Sequence, residues 1–425
     1  MPNMKNEKAT LEPIDVDVLV AGGGPAGLGA AIAASRLGVK TLLVERMAFL
    51  GGVAAIGLGM TINQMRPDGK PRSKVHEHLI ERLRRFGSEA YRFEDHALVT
   101  NTEYLKLAAF QALEDVECNY LLHSFISDAI VDGDIVKGVI VNTKSGPLRI
   151  NAKRVVDATG DGDVCFFAGC PMEKGREGDG FLSPMTSLFV LGGVDVAKVM
   201  EYQKEDRGFI KLLKEGRRAG YELPERMHMR PTIYPGCVYV NHAGTKLHGV
   251  FDGTDVRDLT RAERIMRQQA IDVLRFLKER QVLGFEHTYL EQVSAWAGVR
   301  ETRRIIGEYV LTEDDAKSGA RFPDAVARRF GFLDIGFVRY EEMLPHDVPY
   351  RSLIPKKIDN ILASGRNISA THVAASAGKS MGNCMATGHA AGLAAMLSIQ
   401  ENVTPRELDV KLVQKVLRED GVYLD

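Results

Sequence analysis

Residues 17–45 read DVLVAGGGPAGLGAAIAASRLGVKTLLVE, and the fold turns on them. Residues 17–21 (DVLVA) are a short apolar run of strand type. They lead directly into Gly22-Gly23-Gly24-Pro25-Ala26-Gly27, a G-x-G-x-x-G turn. Residues 28–37 then read as a helix of small residues and Gly38 ends it. Residues 39–44 (VKTLLV) form a second strand that stops at Glu45. Each part has a physical reason in holding a dinucleotide. Gly22 permits the tight turn, Gly24 lets the backbone approach a pyrophosphate, and Gly27 lets helix and strand pack closely. The helix start offers free N–H groups and a positive dipole end to the phosphates. Glu45 is placed to accept hydrogen bonds from the adenosine ribose, which favours NAD or FAD over NADP.

The motif alone does not separate NAD from FAD, and three further segments bear on the choice. Residues 47–52 (MAFLGG) offer Gly51 and Gly52 for a second close backbone approach. Residues 154–163 (RVVDATGDGD) read as a short strand and then a turn. A glycine turn at the carboxyl end of a strand is where an open α/β sheet binds its ligand. Residues 360–364 are strand-like and precede Gly365 and Arg366, and residues from about 383 to 397 form a helix rich in Ala and Gly.

Together these residues resemble the FAD-dependent oxidoreductases with a glutathione-reductase-like FAD domain, most nearly the branch called simply the FAD-dependent oxidoreductase family. The resemblance covers about residues 15–52, 154–169, 297–315 and 348–397. It implies that the first glycines hold the pyrophosphate and the acid holds the ribose. The ATGDGD turn would lie beside the pyrophosphate, and the late Gly-Arg strand with its helix would close over the ribityl chain and isoalloxazine. By that match the FAD contacts are expected from Gly22, Gly24, Pro25, Ala26, Gly27, Glu45, Arg46, Gly51, Gly52, Gly160, Asp161, Gly365, Arg366 and Asn383. The chain departs from the family at Lys379-Ser380-Met381-Gly382-Asn383-Cys384-Met385, where an Arg and a Met-Pro-Thr-Cys-Met pattern are common, and at His389, where Gln often stands.

Composition bounds the rest. The 425 residues carry 55 basic and 56 acidic side chains, a net charge of −1. Such a chain has no electrostatic footprint for nucleic acid, and its ordinary apolar content excludes disorder. Its five cysteines, Cys118, Cys165, Cys170, Cys237 and Cys384, include no C-x-x-C, which argues against a disulfide framework, a paired zinc site and a dithiol redox partner. The N-terminus is polar, and no run of about 18 apolar residues occurs, so a cytoplasmic protein without membrane attachment is expected.

Along the chain, residues 101–114 read as a capped helix, and residues 119–150 as a small β-ribbon inserted before the sheet resumes. The middle block lacks nucleotide signals. It reads as long amphipathic helices, notably residues 194–215 and 259–281, with a turn and strand at 234–240. The expected fold class is α/β: a discontinuous Rossmann-like FAD-binding domain, residues 1–170 and 346–425, with an inserted mixed α+β substrate domain, residues 171–345.

Flavin chemistry asks the protein for substrate anchors and an acid or base. In residues 297–315, Arg300, Arg303 and Arg304 stand where a helical or turn face could clamp a carboxylate, with a salt-bridge network to Glu301, Glu308, Glu313 and Asp314 as the plainer alternative. His372 is the first candidate on the flavin side, Tyr350 and Arg351 precede the late strand, and Lys379 could stabilise negative charge at the flavin. The catalytic set expected is His372, Arg300 and Tyr350, with no metal site. The reading is an oxidoreductase moving a hydride equivalent between flavin and a small organic substrate, by dehydrogenation or by reduction of an activated double bond. A flavin monooxygenase and a flavin-binding electron-transfer subunit are its rivals. A second complete G-x-G-x-x-G is absent, so an electron acceptor or donor other than a tightly bound NAD(P) is expected. Substrate identity, reaction direction, covalent flavin attachment and a homo-oligomeric state stay open.

Overall fold

The computed structural model describes residues 11–58, 61–336 and 340–424. The polar residues 1–10, and residues 337–339 of the middle block, lie outside the described residues. A seven-stranded sheet organises the chain's two ends. Strand β1 (Ile14–Ala21) pairs in parallel with β2 (Thr41–Val44), and β2 with the edge strand β3 (Asn119–Leu121). On its other side β1 pairs in parallel with β6 (Gly146–Asp157). A parallel sheet covered on both faces needs continuous apolar strands, and Val18, Leu19, Val20 and Ala21 are all fully buried.

Two expectations about this region change. Residues 119–121 do not belong to a ribbon, because they extend the parallel sheet beyond β2. The ribbon itself, β4 (Phe125–Asp132) and β5 (Ile135–Thr143), is continuous with the main sheet through β6. At 12 residues β6 is long enough to serve two neighbours on the edge away from β1. Its first half pairs antiparallel with β5, and its last residues pair in parallel with a strand from the far end of the chain, Ile361–Ala363.

Helix α1 (Pro25–Ser35) follows β1 and packs on α2 (Met381–Gln400), and glycine sets how close they come. A Cβ at Gly388 would stand 1.9 Å from the Ala26 carbonyl oxygen, and one at Gly392 2.2 Å from that of Ala30. Almost every residue of both helices is buried.

The middle of the chain builds a second, antiparallel sheet. Thr186–Gly192 lies between Val238–Gly244 and Tyr289–Val293, with His228–Pro231 at one edge. Its core includes Phe189, Phe209, Met227, Val240, Phe276 and Phe285. The helix expected over 259–281 runs from Val256 to Glu279, with Asp255 capping it. The single helix expected over 194–215 is two, Val196–Glu205 and Ile210–Arg218. Asp206 ends the first and accepts from the backbone N–H groups of Lys211 and Leu212, while fully buried Phe209 turns the chain at φ 54°. Among the described residues no helix is long and apolar enough to cross a membrane.

Candidate functional site

A cavity of about 1820 Å³ opens at the carboxyl ends of the main-sheet strands and extends to the antiparallel sheet. The turns after β1, β2, β6 and the Ile361–Ala363 strand all reach it, through Gly22, Glu45, Gly160 and Gly365. This is where an open α/β sheet offers a ligand site.

The first turn is held by its own hydrogen bonds. Gly22 N–H donates to the Val44 carbonyl at 2.8 Å, and Gly51 N–H to the Gly23 carbonyl at 2.8 Å. Glu45 accepts from Gly23 N–H at 2.6 Å and from Met47 N–H at 2.9 Å, so one buried carboxylate fixes the turn and the segment after it. At Gly24 a Cβ would meet only the Gly52 Cα, 4.0 Å away. The cradle is therefore open where a side chain would otherwise stand. Gly51 and Gly52 take φ of 103° and 51°, conformations that suit glycine.

The second turn is organised by Asp157, fully buried at the end of β6. It accepts from Thr159 N–H, the Thr159 hydroxyl and Cys165 N–H. Beyond it Asp161 accepts from Arg366 Nη2 at 2.7 Å and from the Thr302 hydroxyl at 2.7 Å. Arg366 Nη1 is buried with no partner among the described residues. An open glycine cradle beside a buried guanidinium N–H without an acceptor fits a dinucleotide pyrophosphate. Burial, reinforced by Asp161 and Asp157, pushes the Asp163 carboxyl up to about 6 despite its pairing with Arg303.

Of the residues expected on the cofactor, Gly22, Gly24, Pro25, Ala26, Glu45, Arg46, Gly52, Gly160, Asp161, Gly365 and Arg366 line the cavity. Gly27, Gly51 and Asn383 do not. Gly27 packs against the Gly22 carbonyl, where a Cβ would come within 1.7 Å. Asn383 lies beneath the wall, accepting from Arg72 and donating to the Phe330 carbonyl at 2.9 Å, so it positions Phe330.

The expected catalytic set divides. Arg300 lines the cavity. Tyr350 does not: it is buried in the core, with its hydroxyl donating to the Pro405 carbonyl at 2.7 Å. His372 also stays off the cavity. Its Nδ1 is 2.7 Å from the buried Glu301 carboxylate, and it borders a separate shallow depression with Arg176 and Thr312. Sequence proximity to the late strand suggested both residues, but the apolar core took Tyr350 and the Glu301 carboxylate took His372. The arginine trio is not helical either, because Arg303–Ile305 is a strand paired with Met172–Lys174. That geometry sends Arg303 to Asp163 and the Asp161 carbonyl, and Arg304 to Glu301 and the carbonyls of Ala370 and Gly175.

Sequence reasoning missed Asp334 and Thr186. Asp334 accepts from Arg300 Nη1 at 3.3 Å and from Lys379 Nζ at 2.9 Å, and Thr186 Oγ1 lies 3.4 Å from Arg300 Nη2. Burial pushes the Lys379 ammonium down to about 8, against the pull of Asp334. Burial, then the Arg300 guanidinium, holds the neighbouring His242 down to about 3. No local signal marks Asp334 or Thr186, since each reaches the site from a distant strand.

The family model described as FAD dependent oxidoreductase matches residues 17–417. Among curated proteins, a thiamine thiazole synthase of Methanococcus aeolicus is 30% identical over 184 residues, 41% of this chain and 65% of that protein. One from Methanosarcina mazei is 33% identical over 169 residues, 37% of this chain and 61% of the relative. The chain thus spans less than two thirds of the length of either. A geranylgeranyl bacteriochlorophyll reductase-like protein from Thermoplasma acidophilum superposes with a TM-score of 0.52 at 14% identity, over 96% of this chain and 84% of that one. That likeness speaks to fold alone.

Proposed function

The chain belongs to the FAD dependent oxidoreductase family and is an enzyme with FAD as its cofactor, and from that premise we propose that it moves a hydride equivalent between flavin and a small organic substrate. The observation that carries this reading is the single cavity joining the glycine cradle of the main sheet to a polar wall on the antiparallel sheet. A cofactor at the cradle leaves the wall of Thr186, His242, Arg300, Asp334 and Lys379 for a second molecule. When bound, FAD supplies a two-electron carrier that can take or give a hydride equivalent.

In this reading Gly22, Gly24 and Arg366 hold the pyrophosphate and Glu45 holds the ribose. Arg300 orients the substrate. Lys379 holds or releases a proton at Nζ close to neutral pH, where a general acid or base is most effective. The walls of both sheets limit access of water. A purely electron-transferring subunit would have no use for a second polar wall inside the cavity.

The test is the visible spectrum of the purified chain, followed anaerobically with candidate reductants. A yellow protein that releases FAD on acid precipitation and is bleached by one metabolite class without oxygen supports the reading. Turnover that requires oxygen, with its incorporation into product, would replace it with monooxygenation. Failure to take up added FAD would remove it.

A further inference from the structure

Three side chains meet on the wall opposite the glycine cradle with unequal charge. Arg300 and Lys379 share one carboxylate, Asp334, at 3.3 and 2.9 Å. Two cations thus face one acid. Arg300 is not saturated by its neighbours: its Nε is buried with no partner among the described residues, and its Nη2 reaches only the Thr186 hydroxyl. His242 is held down by burial and then Arg300, and His228 by burial and then Arg230 and Arg207, so neither adds a further cation near pH 7.

On the cofactor side two arginines have carboxylate partners. Arg303 pairs with Asp163, and Arg366 with Asp161. Arg300, with its Nε unpartnered among the described residues, stands on the wall where the substrate would lie. A guanidinium with a free edge and a nearby ammonium is the arrangement that receives a planar, two-oxygen anion through charge-assisted hydrogen bonds.

We propose that the substrate bears a carboxylate, and that Arg300 and Lys379 receive it at the wall formed by Thr186 and Asp334. This rests on reading the cavity as a flavin and substrate site. Displacing Asp334 from part of its contact with Arg300 would let the incoming carboxylate take its place, so recognition exchanges one ion pair for another rather than burying a new charge alone.

The test uses the FAD-loaded chain and a series of monocarboxylates from acetate to phenylpropanoate, each paired with its neutral amide. Binding is read as a saturable change in visible flavin absorbance. At least one acid is expected to bind about tenfold or more tightly than its amide. Arg300→Gln is expected to weaken that acid by a similar factor while weakening the amide much less, and Arg300→Lys to restore part of the difference. If Arg300→Gln does not load flavin, Lys379→Gln supports the same comparison. Acid and amide binding alike, no acid binding at all, or an acid indifferent to both variants would overturn the proposal while the flavin spectrum stays intact. A chain that never acquires that spectrum would instead strike the cofactor reading beneath it.

Discussion

Lys379 Nζ lies 2.9 Å from the Asp334 carboxylate, yet burial outweighs that attraction and brings the ammonium down to about 8 from an ordinary 10.5. The folded protein therefore releases this proton before the unfolded chain does. The charged lysine opposes folding below pH 8, and that penalty fades as pH rises from about 8 towards 10.5. Lys379→Met should raise the thermal midpoint near pH 7 by about 2 °C or more, because Asp334 keeps Arg300. The gain should shrink near pH 10. Equal shifts at both pH values would contradict the argument. Activity should fall in the same variant, a common exchange at functional sites.

Glu45 governs the cradle from the far end of the second strand. Its carboxylate accepts from Gly23 N–H at 2.6 Å and Met47 N–H at 2.9 Å. Glu45→Ala would leave both donors without their acceptor and remove the expected ribose contact. FAD affinity of the apoprotein should drop by about 10- to 100-fold. Glu45→Gln, which keeps one acceptor oxygen, should lose less. Isothermal titration with FAD measures both, and an unchanged affinity in the alanine variant would exclude Glu45 from cofactor binding.

The cradle was legible because its geometry is local. A turn that requires Gly22, Gly24 and Gly27 in order, with an acid after the next strand, is encoded in 29 consecutive residues, 17–45. The turn at Gly160 and the Gly365–Arg366 pair were legible for the same reason. The polar wall was legible only in part: Arg300 and Lys379 stood out in the sequence, but Thr186 and Asp334 come from distant segments and join them only through packing. Residues 297–315 misled in a specific way. Their charges fit a helical face, but pairing of Arg303–Ile305 with Met172–Lys174 imposed an extended backbone and pointed the three arginines to different partners. The break at Asp206–Phe209 had a visible signal in Gly208, overridden by the amphipathic pattern on either side.

Gly388 tests how far the cradle depends on the helices behind it. A Cβ there would come within 1.9 Å of the Ala26 carbonyl oxygen, a backbone atom that cannot swing aside. Gly388→Ala must push α1 away from α2, and α1 carries Pro25 and Ala26 into the cavity wall. Overpacking of this kind costs about 1–3 kcal/mol. The variant should unfold at lower temperature and retain less FAD per chain after desalting. The control is Gly38→Ala: a Cβ there meets nothing, although φ of 83° adds some strain. It should lose some stability but keep its flavin. Full flavin retention in Gly388→Ala would show that the cradle does not need the close helix contact.

Tyr350 and His372 separate structural from chemical roles. Both are buried, and neither lines the cavity. Tyr350→Phe removes one hydrogen bond to Pro405, so stability should fall by about 1 kcal/mol, with FAD content and turnover unchanged within about twofold. His372→Phe is more severe, because it deprives the buried Glu301 carboxylate of a partner 2.7 Å away. Glu301 is pulled up by burial but held below its ordinary range by His372 and Arg304 together. Its folded value is depressed, so its contribution to stability is present above the unfolded carboxylate range and is lost as pH falls through the folded value. Removing His372 should narrow that margin, and the thermal midpoint of His372→Phe should drop relative to the parent chain near pH 7. Below the carboxylate range the two midpoints should converge, since Glu301 is then neutral in both. Per-flavin reduction rates should remain within a few-fold. A loss of two orders of magnitude in rate with FAD retained would return His372 to the chemistry, and stopped-flow bleaching of the loaded variants reads that directly.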